Sequence, residues 1–342
     1  MNKFMITDNI RRKKNIWIAS ILILISGTVA GQQVPMYSQY IMNGFLINPS
    51  LAGSDVYTSV NLTAREQWVG LAQSPRTYAL SFQTRILSDS YISKSTSVRK
   101  KIVRPTKGGR VGLGGYLFND VNGIVRRTGI QAAYAYHIPM SIRKGFQNNL
   151  SFGLAFIFYQ MAINTEGLIY DQDDPYLLNY DRSVFIPDFN FGVNYTTADY
   201  YVGFAMTNLM RGSVILANNG ADNNSSELGH YFITGGVKIP LSLNWMIEPS
   251  AFIKTSDIFL SAIQLDITSR IYYKNDYWAG VSYRTNDAII PMIGLRYDRF
   301  YFAYAFDVTL TDLRKHNSGT HELTIALKFG ESARRYRWIN AF

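Results

Sequence analysis

From about residue 56 onward the chain repeats one unit: a run of nine or more residues with alternating apolar positions, then a turn. Leu150, Phe152, Leu154, Phe156 and Phe158 alternate with the small residues Ser151, Gly153 and Ala155. On a strand, successive side chains point to opposite faces, so the two sets separate. Ile263, Leu265 and Ile267 interleave with Gln264, Asp266, Thr268 and Arg270. Phe300, Phe302, Tyr304, Phe306 and Val308 interleave with Ala303, Ala305, Asp307 and Thr309. One face suits lipid and the other a wet lumen.

This periodicity predicts strands near 56–68, 76–86, 110–119, 125–138, 149–163, 186–196, 200–208, 230–240, 244–254, 259–273, 277–285, 289–297, 300–310 and 320–329. Soluble sandwiches also alternate, so length has to decide. Crossing a bilayer at a tilt takes about 9–11 residues, against about 5–6 for an ordinary strand. The expectation is therefore an all-β, antiparallel, up-and-down transmembrane barrel of about fourteen strands, an even number as bacterial single-chain barrels have.

Loop lengths give a second test, because such barrels have short periplasmic turns and longer outer loops. If the first strand runs outward, Thr197-Ala198-Asp199, Leu241-Ser242-Leu243, Lys274-Asn275-Asp276 and Asp298-Arg299 are periplasmic, while 164–185, 209–229 and 311–319 lie outside. Residues 87–109 break the rule, being long on the short side.

The N-terminus changes the picture of where the chain goes. Arg11-Arg12-Lys13-Lys14, the apolar run Ile16 to Ile25 and the small residues from Ser26 to Gly31 follow the order of a secretory signal peptide. That run is shorter than the roughly 20 residues a spanning helix needs. Nothing after residue 31 is long and apolar enough to span as a helix either. The expected organisation is 1–31 signal peptide, 32–55 N-terminal segment, 56–329 barrel and 330–342 basic periplasmic tail. Residues 32–55 have two readings, a lumen plug or a periplasmic arm. With no cysteine in the chain, a lipid-modified N-terminal Cys and any disulfide are excluded.

Composition agrees with a barrel: 24 Tyr, 20 Phe and 26 Gly, with only 17% charged residues. The formal charge of +10 invites a nucleic-acid reading, but residues 1–31 hold five Lys or Arg and one Asp, so the chain beyond them keeps +6. Those charges are spread over loops and alternate strand positions, with no nucleic-acid-binding motif around them.

Several blocks carry a family likeness. Met36-Tyr37-Ser38-Gln39-Tyr40, Asn48-Pro49-Ser50-Leu51-Ala52-Gly53 and Arg65-Glu66-Gln67-Trp68-Val69-Gly70 open the chain beyond the signal segment. Further along stand Gly112-Leu113-Gly114-Gly115, Asn208-Leu209, Trp278-Ala279-Gly280-Val281-Ser282-Tyr283-Arg284, Tyr304-Ala305-Phe306-Asp307 and Ser318-Gly319-Thr320-His321-Glu322-Leu323. In this order the blocks resemble the PorP/SprF family, outer-membrane proteins associated with the type IX secretion system of Bacteroidota. The motif positions are Gln39, Tyr40, Asn48, Pro49, Gly53, Arg65, Gln67, Trp68, Gly70, Gly319, His321 and Glu322. The resemblance implies a protein that assists secretion or surface attachment of an exported partner. That partner is a large adhesin in the gliding branch, whereas members of the secretion branch accompany a periplasmic core complex. Ser50-Leu51 stands where the family more often has Ala-Tyr, and the 87–109 insert is longer than usual, so both branches stay open.

Catalytic chemistry finds little support. His137 and His230 fall near strand ends, His316 in a polar loop and His321 beside Glu322, with no nucleophile-elbow pattern. The reading is a non-enzyme, with no cofactor, no metal and no small-molecule substrate. Glu166, Asp171, Asp173, Asp174 and Asp181 make one loop acidic, without the spacing of an EF-hand, so a solvated loop is favoured over a calcium site. The segment 88–110 carries seven Lys or Arg against Asp89 alone. It reads as a solvated loop, or as a docking arm in which Arg99, Lys100, Lys101 and Arg104 meet an acidic periplasmic partner or lipid A phosphates. The functional expectation is an outer-membrane component of type IX secretion, holding an exported protein and contacting outer-membrane lipid. A porin-like transport barrel and a barrel-embedded hydrolase are the alternatives.

Overall fold

The computed structural model describes residues 37–55, 58–86, 109–143, 146–163, 183–210, 213–214, 225–226, 229–256 and 263–329. The signal segment, the arm with Arg99, Lys100, Lys101 and Arg104, most of the acidic loop and the basic tail lie outside them.

Fourteen antiparallel strands close into a barrel. They are β1 Thr58–Glu66, β2 Arg76–Ile86, β3 Val111–Asn122, β4 Val125–Arg143, β5 Phe146–Ile163, β6 Ser183–Thr196 and β7 Tyr200–Thr207. There follow β8 His230–Val237, continued by Ile239–Pro240 beyond Lys238, then β9 Trp245–Thr255, β10 Ile263–Tyr273, β11 Tyr277–Arg284, β12 Ala288–Tyr297, β13 Phe300–Thr309 and β14 Thr320–Phe329. Each strand pairs with its neighbours in sequence, and β1 closes on β14 from Thr58↔Phe329 to Glu66↔His321. Among the described residues the barrel sheet has no open edge, which is what a strand structure in hydrocarbon requires.

The predicted strands hold to within about three residues, apart from 56–57 and 259–262, which lie outside the described residues, and one larger correction. β4 and β5 reach Arg143 and Phe146, well past the predicted ends near 138 and 149. Pro139 does not end the run, because the ladder absorbs it at a register shift between Pro139 and Ile142, a position where proline's missing donor costs least.

Alternation sorts the two faces as expected. Leu62, Leu80, Leu117, Ile130 and Leu154 are exposed outward, while Ser59, Asn61, Thr63 and Arg65 are buried inward. Leu154 is 52% exposed, so Leu154→Arg places a charge in the apolar band and is expected to destabilise the barrel by roughly 2–4 kcal/mol near the midplane. Urea unfolding in lipid vesicles measures this, and a variant as stable as the parent would overturn the lipid-facing assignment. The inward face is not the wet surface the sequence suggested. Ala155 is 1% exposed and packs with Phe45 and Ala52, because residues 37–55 occupy the lumen.

The connections after the even-numbered strands, such as 197–199 and 298–299, define one rim; those after the odd-numbered strands, such as 67–75 and 310–319, define the other. The first is called the turn rim below and the second the loop rim.

Candidate functional site

The interior segment runs from Tyr37 at the loop rim to Asp55 at the turn rim, and its sequence shapes it for that path. Asn48 accepts from the amide of Ser50 at 3.0 Å and its hydroxyl at 2.6 Å, capping the short 3-10 turn Pro49–Leu51. The Asn48 amide donates to the carbonyls of Val193 and Phe204, each at 3.3 Å, which ties the turn to β6 and β7. Gly53, with φ +64°, lies so close to the carbonyl of Thr84 that a side chain would collide with it.

One wall of the barrel is built to receive this turn. Gly112, Ala135, Gly153, Gly192 and Ala205 are successive register partners across β3 to β7 and form one inward row of small residues. A β-carbon at Gly112 would fall on the carbonyl of Ala52, at Gly153 on the backbone of Pro49 and Ser50, and at Gly192 on the side chain of Asn48. The next row repeats the theme, with Gly114 and Ala133 beneath Phe45.

The opposite wall carries charge. Arg65 donates to Asp307 at 2.8 Å and to Glu322 at 2.9 Å. Arg284 donates to Asp266 at 3.0 Å, to Asp307 at 3.0 Å and to Asp287 at 3.4 Å. The plug enters this network at Ser38, whose hydroxyl donates to Asp307 at 2.8 Å and accepts from Arg65 at 2.6 Å. The amides of Ser38 and Gln39 donate to Glu322 at 2.7 and 2.8 Å. Unpaired, such buried charges would be costly; here each carboxylate is met by a guanidinium or by backbone N–H groups.

Further contacts hold the rest of the plug. Tyr40 stacks on Phe252 with centroids 4.7 Å apart, and Asn43 donates to Ser81 at 3.1 Å. At the turn rim Lys328 donates to Asp55 at 2.5 Å, and His137 Nε2 donates to the Ala52 carbonyl at 2.9 Å. Its Nδ1 lies 2.8 Å from the Ser151 hydroxyl. A void of about 80 Å³ persists near the loop rim beside Tyr37, Tyr116 and Phe232. It has room for a few waters only.

The motif residues fall into three places. Gln39, Tyr40, Asn48, Pro49 and Gly53 are in the plug, and Arg65 and Glu322 are its charged anchor. Gln67, Trp68 and Gly70 form the β1–β2 connection, which bonds to the β13–β14 connection through Val69 to Gly319 at 2.9 Å and Ser318 to Val69 at 2.7 Å. His321 stands apart, facing outward with its Nδ1 2.7 Å from the Tyr304 hydroxyl. Ser38, Asp266, Arg284 and Asp307 were not singled out as site residues. The sequence signal for the last three is a charge at an inward position of an alternating strand. His137 and His230 are buried inside the barrel wall, and no metal-ligand cluster occurs among the described residues.

Residues 29–327 match the family described as type IX secretion system membrane protein PorP/SprF. A triple mutant of the Rhodopseudomonas blastica porin is similar at 8% identity and a TM-score of 0.31, covering 80% of this chain and 99% of that chain. CdiB from Acinetobacter baumannii is similar at 7% identity and a TM-score of 0.35, covering 80% of this chain and 60% of that one. A search of curated proteins gives no match.

Proposed function

The chain belongs to the PorP/SprF family of type IX secretion system membrane proteins, and on that premise we propose that it assists export or surface anchoring of a partner protein such as an adhesin. It sits in the outer membrane after signal-peptide cleavage, with the loop rim outside, and performs no chemistry of its own. The observation that carries this reading is the plug, which is pinned at both rims and laid on a glycine-lined wall. A diffusion pore needs an open lumen, whereas this one is filled by the chain's own residues 37–55. Filling the barrel makes it a rigid platform whose rims and loops are left for protein contacts. The basic arm, with Arg99, Lys100, Lys101 and Arg104, is then a contact for an acidic periplasmic partner.

Co-purification from the native envelope tests the proposal. Secretion components and an exported surface protein are expected with the parent chain, and recovery of no such partner would defeat it. The variant with Arg99, Lys100, Lys101 and Arg104 all replaced by Gln should keep heat-modifiable gel mobility while losing periplasmic partner recovery in a salt-sensitive way. Unchanged recovery would reduce the arm to a solvated loop.

A further inference from the structure

Among the described side chains on the strands, every charged group except Glu66, Arg76 and Arg126 belongs to the inward set. These three are not scattered. Glu66 is the last residue of β1, Arg76 the first of β2 and Arg126 the second of β4, so all lie at the loop rim. Register places them in one outward row: His321↔Glu66, Glu66↔Arg76, Arg76↔Val121 and Val121↔Arg126. The two arginines therefore flank Val121 at two strand spacings, about 10 Å. Both are exposed, and no carboxylate among the described residues pairs with either. Glu66 instead accepts from the Tyr78 hydroxyl at 3.1 Å.

Beneath this row lies a second, neutral and polar, formed by the partners Tyr78, Asn119, Thr128 and Gln160. A third row, Leu80, Leu117, Ile130 and Phe158, is apolar. From rim to midplane the surface thus passes from cationic to hydrogen-bonding to hydrophobic. Elsewhere along the same rim the described outward positions include Phe185, Met206, Ile253, Leu265, Tyr283 and Ile289, and none of the described ones there carries a Lys, Arg, Asp or Glu.

We propose that this side of β1 to β5 is a binding site for a phosphorylated glycolipid of the outer leaflet, of the lipid A class. Arg76 and Arg126 take the phosphates, the Tyr78–Gln160 row takes sugar hydroxyls, and the leucine row takes the acyl chains. A bare guanidinium at this depth costs little, and an anionic headgroup gives Arg76 and Arg126 a charge-assisted partner that no described carboxylate provides within ion-pair distance. The loop rim must face outward for this, so the inference rests on the orientation given above.

The test titrates the purified full chain in detergent with lipid A, with its dephosphorylated form and with inorganic phosphate. Each basic residue beside an anionic lipid is worth about a fivefold change in affinity. The double variant Arg76→Gln/Arg126→Gln should hold lipid A roughly 30-fold more weakly, and Arg76→Lys/Arg126→Lys should retain most of the binding. If the double Gln variant loses heat-modifiable mobility, the single Gln variants carry the test, at about fivefold each. Dephosphorylated lipid should bind parent and Gln variants alike and weakly, and phosphate at equal concentration should not compete. Equal lipid A binding by parent and Gln variants, or full competition by phosphate, overturns the site. Orientation is read separately with cysteines at His316 and Asp276 and an impermeant maleimide on intact cells. Labelling at 276 and not at 316 would remove both the orientation and the lipid site, whereas labelling at 316 with negative lipid binding would remove the lipid site alone.

Discussion

Arg65→Ala is expected to cost roughly 3–5 kcal/mol of barrel stability, the range for stripping one partner from a buried ion pair. The guanidinium is 1% exposed and binds three groups from three parts of the chain: Asp307 on β13, Glu322 on β14 and Ser38 in the plug. The two carboxylates are not left equal by its loss. Asp307 keeps Arg284 at 3.0 Å, but Glu322 keeps only the plug amides of Ser38 and Gln39. Glu322 therefore becomes a buried charge without a cation, and much of the cost is its desolvation. It follows that Glu322→Gln should recover part of the loss in the Arg65→Ala background while destabilising the parent. Urea unfolding of the four proteins in vesicles gives the coupling directly. A parent and an Arg65→Ala variant within about 1 kcal/mol of each other would mean the cluster is hydrated and weak.

The barrel wall was largely legible because its code is local. A period of two, repeated over runs long enough to cross a bilayer, needs no knowledge of what lies across the lumen. The contents of the lumen were not legible for the same reason. Ser151, Gly153 and Ala155 could be assigned to the inward face, but alternation is silent on what a face meets, and the wet lumen was the wrong filling. The contact that corrects it joins residues 38 and 322, some 284 positions apart, a pairing that only the closed barrel creates. Asp266 and Arg270 were visible as polar interruptions in β10. Their separate partners, Arg284 and Glu248, depend on strand register, which a hydrophobic pattern does not fix to the residue. The choice between plug and arm for 32–55 stayed open for want of that geometry, although Asn48-Pro49 already marked a tight turn.

Gly153→Val is expected to unseat the plug while leaving the barrel closed. Gly153 lies between Ala135 and Gly192 in the inward row, and the new side chain would overlap the backbone at Pro49 and Ser50. Neither partner can yield locally. β5 is held by ladders to β4 and β6 along most of its length, and the Pro49–Leu51 turn is tied to β6 and β7 by Asn48. Overpacking of this kind costs about 1–3 kcal/mol, and the segment with fewer hydrogen bonds to lose is the one that moves. The plug should therefore lift at its middle, weakening the Ala52–His137 contact below and opening a path beside Phe45. In a planar bilayer the parent should show little steady current and Gly153→Val a sustained one, with protease cleaving within 37–55 only in the variant. Gly235→Val is the matched control, since Gly235 faces outward and a β-carbon there meets nothing closer than the Tyr201 carbonyl at 3.8 Å. Heat-modifiable mobility in both variants would confirm that the strands still close. A Gly153→Val barrel as silent and as protease-resistant as the parent would mean the small-residue row does not seat the plug, and the filled lumen would lose its structural cause.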